Sequence, residues 1–175
     1  MHSKIIRSYA CRLAGALSLL ALLGACDQPA AIEKPVPEIS LTGLDGAQTS
    51  IAAYRGKLLV LNVWATWCPP CRREMPSLER LSKIVDSKRI VVAGIATDQS
   101  MNAVKEFIAL HKITFPNYTD TPTSVANTLG VMVYPETLLI APDGKIVQRI
   151  PGEQEWDSPE MLKLLEDIYQ GKRSD

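Results

Sequence analysis

The motif Trp67-Cys-Pro-Pro-Cys71 follows the most apolar strand-like segment of the chain and precedes a segment of helical periodicity. No other feature limits the fold as strongly. The preceding stretch, Lys57-Leu-Leu-Val-Leu-Asn-Val-Trp-Ala65, is apolar on both faces apart from Asn62. Such a segment fits a central strand covered on both sides. Two cysteines three apart at a helix start bring their Cα atoms to the roughly 5.5 Å that a disulfide requires. The first then lies over the helix N-terminus, where free N–H groups and the macrodipole favour a thiolate. Cys-x-x-Cys between a strand and a helix signals a redox-active dithiol.

The beginning of the chain reads as an export signal. Lys4, Arg7 and Arg12 precede a largely apolar run from Leu13 to Leu23, and residues 1–25 contain no acid. That run is shorter than the ~20 residues a spanning helix requires. Leu23-Gly24-Ala25-Cys26 resembles the lipobox of bacterial lipoproteins, in which the leader is cut before a cysteine that then carries the lipid. An ordinary signal peptide cut nearby, leaving Cys26 a spare thiol, is the alternative. Asp27 resembles an inner-membrane retention signal of enteric-type sorting. Cleavage before Cys26 removes Cys11, His2 and three basic residues, and leaves Cys68 and Cys71 as the one free thiol couple. The mature chain is mildly acidic, with no basic field for nucleic acid. Its length suits one domain with its own core.

The expected organisation is a signal peptide over 1–25, a lipidated cysteine and Pro-containing tether over 26–37, and a single domain over 38–175. The tether spans about 35 Å at most and would keep the dithiol near a membrane surface. Ile39 to Leu44, a turn at Asp45-Gly46 and Ala47 to Ile51 read as a hairpin. After Cys68 a helix carries Met75, Leu78, Leu81 and Val85 on one face, and Pro76 should kink it. Arg89 to Thr97 reads as a second buried strand. Ser100 caps a helix with Val104, Phe107, Ile108 and His111 on one side. Thr121-Pro122 opens a short helix that stops at Gly130. Thr137 to Ala141, Pro142-Asp143-Gly144 and Lys145 to Ile150 form a second hairpin. Ser158-Pro159-Glu160 starts a last helix with Met161, Leu162, Leu165, Ile168 and Tyr169 inward. The pattern argues an α/β fold, with a mixed sheet, helices on both faces and an added N-terminal hairpin.

For the dithiol, a static disulfide and a metal site are the competing readings. A four-residue loop gives little unfolded-state entropy to a static crosslink. A tetrahedral zinc site wants four N/S ligands, and only His111 lies beyond the leader, so no metal or other cofactor is expected. Glu74, three residues after Cys71, shares its helix face. A carboxylate there would raise the Cys71 pKa and could carry its proton, or it is an ordinary solvent-facing glutamate. Arg72 and Arg73 could favour the thiolate or guide partners, and equally form a solvated face. Trp67 either shields Cys68 on a docking surface or fills the core, where Trp64 belongs.

Val60-Leu-Asn-Val-Trp-Ala-Thr-Trp-Cys-Pro-Pro-Cys-Arg-Arg-Glu-Met-Pro76 resembles the exported, membrane-anchored thioredoxins of the TlpA/ResA/CcmG type. Tyr134-Pro135-Glu136-Thr137, followed by strand, Asp-Gly turn and strand, resembles the second half of the same family. The resemblance covers roughly residues 36–171. It implies a thioredoxin fold and thiol–disulfide exchange with proteins, such as apocytochrome c or copper-site assembly clients. A membrane thiol transporter of the DsbD/CcdA kind would be the electron donor. Cys68 would be the nucleophile and Cys71 the resolving thiol. Cys-x-x-Cys-x-x-Glu is similar to the ResA-type subgroup, which favours a functional Glu74. Asn62 stands where cytosolic thioredoxins carry a buried Asp, so the proton role passes to Glu74. Pro135 is expected to be cis by the same resemblance, with Tyr134 and the backbone before the proline receiving a client strand. Val133 departs from the Gly of many relatives, and Tyr134 is bulkier than their usual residue. Pro69-Pro70 lacks the histidine of the DsbA-type Cys-Pro-His-Cys, which favours a reductant. Two other activities stay open: a thiol peroxidase, although the Pro-x-x-x-Thr-x-x-Cys context is missing, and a non-enzymatic metal-delivery or client-binding module.

Overall fold

The computed structural model describes residues 34–120 and 124–172. The leader, Cys26, most of the tether and Thr121-Pro122 lie outside the described residues. Within them the strands are β1 (Lys34–Pro35), β2 (Ser40–Gly43), β3 (Gln48–Ser50), β4 (Leu58–Trp64), β5 (Ile90–Ala96), β6 (Asn117–Thr119), β7 (Glu136–Ile140) and β8 (Lys145–Pro151). The helices are α1 (Pro69–Ile84), α2 (Met101–Leu110), α3 (Val125–Thr128) and α4 (Pro159–Tyr169), with a 3-10 turn at Ile51–Tyr54.

One sheet runs in the order β1-β8-β7-β4-β5-β6-β2-β3. β4, β5 and β6 are parallel, and β7, β8 and the N-terminal hairpin are antiparallel additions. The β4-α1-β5-α2-β6 path advances across the sheet in one direction. Right-handed crossovers put α1 and α2 on one face. The return from β6 to β7 puts α3 on the other. β4 is buried along its whole length, and its alternate residues serve two cores. Leu58, Val60 and Trp64 pack with Met75, Leu78, Leu81, Val104, Phe107 and Leu165. Leu59, Leu61 and Val63 pack with Ile39, Leu41, Val125, Ala126 and Leu138. The mixed sheet with helices on both faces is the expected one.

The capping chemistry is local. Ser100 and Ser158 each accept a backbone N–H from three residues on, at 3.4 and 3.3 Å. Pro159 follows Ser158 at the first helical position, where its missing N–H costs nothing. α1 continues through Pro76 to Ile84. Gly130, at φ +71°, ends the α3 segment as expected, with Ser124 as its N-cap among the described residues.

Two differences from the sequence reading matter. Residues 34–36, assigned to the tether, are tied to the sheet: Lys34 and Pro35 pair with Ile146 and Lys145, and Val36 N–H donates to Gly144 O at 3.0 Å. An edge strand tolerates Pro35 because its outer side needs no donor. β6, unassigned in the sequence, forms where three residues complete the parallel set. His111, grouped with Val104, Phe107 and Ile108 on one side of the helix, is exposed. It ends α2, with its ring 4.2 Å from that of Phe107.

Candidate active site

β4 delivers the chain to the upper edge of the sheet, and the turn into α1 is held from its neighbour. Thr66 N–H lies 3.0 Å from one carboxylate oxygen of buried Asp98, and the Thr66 hydroxyl also binds Asp98. Thr97, beyond β5, donates its backbone N–H to Trp64 O at 2.9 Å. These bonds splice the ends of β4 and β5 below the motif. Gly94 is required nearby by close approach. A Cβ there would lie 2.2 Å from Asn117 Oδ1 and 2.9 Å from Trp64 Nε1, which are bonded to each other at 2.9 Å.

Cys68 is the N-cap of α1, with Pro69 and Pro70 filling the first two helical positions. Neither proline loses a hydrogen bond there, because N–H groups of the first turn have no intrahelical acceptor. Cys71 N–H instead points to Cys68 Sγ at 3.3 Å. This donor and the helix N-terminus are the local source of thiolate stabilisation. The two sulfurs form a disulfide, with Cα atoms 5.3 Å apart. Cys68 retains 4% of its surface and Cys71 none, so the couple is graded in access.

Trp67 does not fill the core. It is 62% exposed, and its ring meets that of Tyr134 edge-on at 5.7 Å. Met132 and Val133 are also exposed, beside the cis Tyr134–Pro135 bond. Trp64 is fully buried against Phe107, at 5.2 Å between ring centroids. Arg73 lies on the solvated face of α1. It makes a bidentate pair with Glu153, with Nε 2.8 Å from one oxygen. Arg80 bonds Glu155 and Asp157 at 2.5 and 2.6 Å.

Glu74 faces inward and is 1% exposed. Its Oε1 accepts from Asn62 Nδ2 at 2.8 Å. Its Oε2 accepts from Trp156 Nε1 at 3.0 Å and from Gln154 N–H at 3.3 Å. Burial pushes the carboxyl up to about 7; the Trp156, Asn62 and Gln154 donors oppose it, and Glu153 adds to it. A carboxyl that titrates near neutrality beneath a dithiol has the properties of a proton carrier. Asn62 also donates to Thr137 Oγ1 at 2.9 Å across the β4–β7 pair.

Trp156, Gln154, Ser77 and Thr137 were not among the sequence candidates. Trp156 is fully buried, and its backbone N–H donates to Ser77 Oγ at 3.1 Å. The available signal was an aromatic residue set in the acidic run Glu153-Gln-Glu-Trp-Asp157. Among the described residues, no group of three or more His, Cys, Asp or Glu side chains is arranged to hold a metal.

The profile of the AhpC/TSA family matches residues 32–149. The thiol-disulfide oxidoreductase ResA of Bacillus thuringiensis subsp. konkukian is 35% identical over 123 residues, covering 70% of this chain and 71% of that one. The crystal structure of a thiol:disulfide interchange protein of the thioredoxin family from Chlorobium tepidum superposes with a TM-score of 0.68 at 26% identity. That match covers 78% of this chain and 97% of the other. The exposed lipoprotein thioredoxin Etrx1 of Streptococcus pneumoniae gives 0.66 at 27% identity, over 75% and 100% of the two chains. With a dithiol capping the helix that leaves a central strand, and proteins with disulfides as substrates, this chain belongs to the AhpC/TSA family and, within it, to the ResA-like thiol-disulfide oxidoreductases of thioredoxin fold.

Proposed function

We propose that this oxidoreductase works as a reductant of disulfides in exported proteins, with Cys68 attacking and Cys71 resolving. The observation that carries the reading is the graded access of the couple above a buried, near-neutral carboxyl. The Cys68 thiolate attacks one sulfur of a client disulfide. A mixed disulfide forms, and the other client sulfur leaves as a thiolate that takes a proton. Cys71 then loses its proton to Glu74 and attacks Cys68 Sγ. The Cys68–Cys71 bond forms, the mixed disulfide breaks, and the client departs with two thiols. Two electrons must return from a dithiol donor, for which a membrane thiol transporter of the DsbD/CcdA kind is the candidate.

Trp67, Tyr134, Met132 and Val133 supply an apolar surface around Cys68 suited to an extended client segment. Pro69 and Pro70 hold the helix start that aims Cys68 at it. An extracytoplasmic location is supported by the lipoprotein relative and by the leader-like sequence before Cys26. Lipidation of Cys26 would hold the enzyme at the periplasmic side of the inner membrane. Clients in cytochrome c or copper-site assembly fit the same reading.

Two measurements test it. The Cys71→Ser protein should accumulate mixed disulfides through Cys68 in its native envelope. The Cys68–Cys71 potential should lie well below the ~−120 mV of a strong oxidant. A value near that figure sinks the reductant assignment. Absence of any trapped client counts against exchange with proteins. Peroxide consumption by the reduced enzyme would instead favour the peroxidase reading, for which neither Cys68 nor Cys71 has the Pro-x-x-x-Thr-x-x-Cys context.

A further inference from the structure

Glu74 is held by donors alone. Asn62 Nδ2 faces one oxygen, and Trp156 Nε1 and the Gln154 N–H face the other. All three suit a carboxylate. A protonated carboxyl has a hydrogen to give, and neither an indole N–H nor a backbone N–H can accept it. A hydrogen on Oε1 would meet the Asn62 amide nitrogen, which cannot accept it either. Yet burial brings the carboxyl's titration to about 7, so the protonated form is populated at ordinary pH.

The missing acceptor sits on the same side chain. Asn62 Oδ1 is the one buried side-chain nitrogen or oxygen without a hydrogen-bond partner among the described residues. Asn62 itself is fully buried, as is Thr137 beside it. Turning the amide by 180° exchanges Nδ2 and Oδ1. Oδ1 would then face both Glu74 Oε1 and Thr137 Oγ1, and a hydroxyl donates as readily as it accepts. The terminal torsion of asparagine is broad and roughly two-fold, so neither orientation is penalised by the bond itself. Each orientation leaves one amide end unpartnered, the carbonyl in one and the NH2 in the other. The amide alone therefore does not lock either state, and the charge of Glu74 selects between them.

We propose that Asn62 is a positioning residue whose amide rotates when Glu74 takes up a proton, Oδ1 then accepting from the Glu74 carboxyl and from the Thr137 hydroxyl. The proposal rests on Glu74 being the proton carrier of the dithiol. It names the device by which one buried carboxyl is accommodated both with and without its proton. The charged and titratable groups around it are few. The loop after β8 brings Glu153, paired with Arg73; α1 itself brings Cys71; β4 and β7 bring Asn62 and Thr137, which do not titrate. Glu136, next to Thr137, is paired with Arg149 at 2.8 Å.

The test uses the full chain in its oxidised form, so that Glu74 titrates without the thiols. The Glu74 carboxyl carbon shift and the NOEs from the Asn62 amide protons to the Thr137 side chain are followed from about pH 5 to about pH 9. The expected result is a set of NOEs strong at high pH and at least about threefold weaker at low pH, with the midpoint of the carboxyl. NOEs that stay constant while Glu74 titrates overturn the proposal. So does a carboxyl still ionised at the low end. Asn62→Leu supplies a second reading, since it can neither donate nor accept. A residue serving both protonation states leaves the Glu74 ionisation constant within about threefold when removed; removal of a fixed donor serving only the carboxylate lowers that constant by about tenfold or more. The second outcome also overturns the rotation. Failure of the underlying role of Glu74 looks different: Glu74→Gln would then reduce client disulfides at the parental rate throughout the pH range, whatever the Asn62 amide does.

Discussion

The two halves of α1 carry glutamates of opposite character. Glu74 faces β4, and Glu79, five residues on, faces the segment leading into β6. Burial pushes both carboxyls up. At Glu79 the Thr114 backbone N–H at 2.8 Å, the Thr114 hydroxyl at 2.7 Å and the Lys83 ammonium at 3.3 Å outweigh it, and the carboxyl is held below its ordinary value. At Glu74 three donors without a cation do not outweigh it, and the carboxyl rises to about 7. Hydrogen bonds alone do not replace the water removed from a nearly fully buried charge; a partly exposed site with a cation does. The reactive half of the helix is the half where desolvation wins.

The largest expected effect separates the halves by chemistry. Cys68→Ser should lower client reduction by at least about 10³-fold, since no second thiol can replace the nucleophile. Glu79→Gln should leave that rate unchanged in the same assay. Equal losses in both would end the distinction drawn here between the two halves.

Trp156→Ala comes next. It empties a fully buried indole site and leaves Glu74 without one donor, and should cost about 3–5 kcal/mol in urea unfolding. Trp156→Phe retains most of the volume and removes only the N–H. It should raise the Glu74 midpoint further, read from its carboxyl carbon shift. A midpoint that falls instead would show that the indole N–H does not stabilise the carboxylate.

Glu74→Gln then tests the sign of the pH dependence. The folded pKa, about 7, lies above the ordinary 4.5. The native state therefore binds the extra proton between those values. Its contribution is full below about 4.5 and is lost as pH rises through about 7. The parent should lose about 3 kcal/mol of unfolding free energy across that window from this group, and Glu74→Gln should not. Glu79 has the opposite sign. Its pKa is lowered, so its stabilisation is present above the ordinary value and is lost as pH falls through the folded one. With its partial exposure, Glu79→Gln should change stability near neutral pH by no more than about 1 kcal/mol.

The smallest effect belongs to the surface straps. Arg80 is half exposed, although it binds both Glu155 and Asp157 of the loop that carries Trp156. Arg80→Ala should cost less than about 1 kcal/mol at physiological salt. A larger loss, accompanied by a changed Glu74 midpoint, would mean that the straps hold the indole over the carboxyl.

Element positions were legible because the chain is locally consistent. The continuous apolar runs of β4 and β5, the serine caps and the Asp-Gly turns each gave boundaries within one residue of the observed strands and helices. β1 and β6 were not legible. Both are two or three residues long, too short for a period, and both exist because a longer neighbour offers an unpaired edge. The loop residues Gln154 and Trp156 were missed for a related reason. They touch Glu74 from 80 and 82 residues away along the chain, and no local pattern encodes that contact.

The amino-acid sequence by itself determined the dithiol, its place at the junction of a buried strand and a helix, and the family. The first two follow from residue spacing, which acts over one turn of chain, and the family from the resemblance of the stretches Val60–Pro76 and Tyr134–Thr137. It also left Glu74 with two readings, since three residues beyond Cys71 is a helix position that can face water or core. Only the tertiary structure decided between them. The β4–β7 pairing brings Asn62 and Thr137 under the helix, and the loop after β8 closes Trp156 over it. Burial is a property of everything packed around a group, and the charge a carboxyl carries near neutral pH follows from that burial.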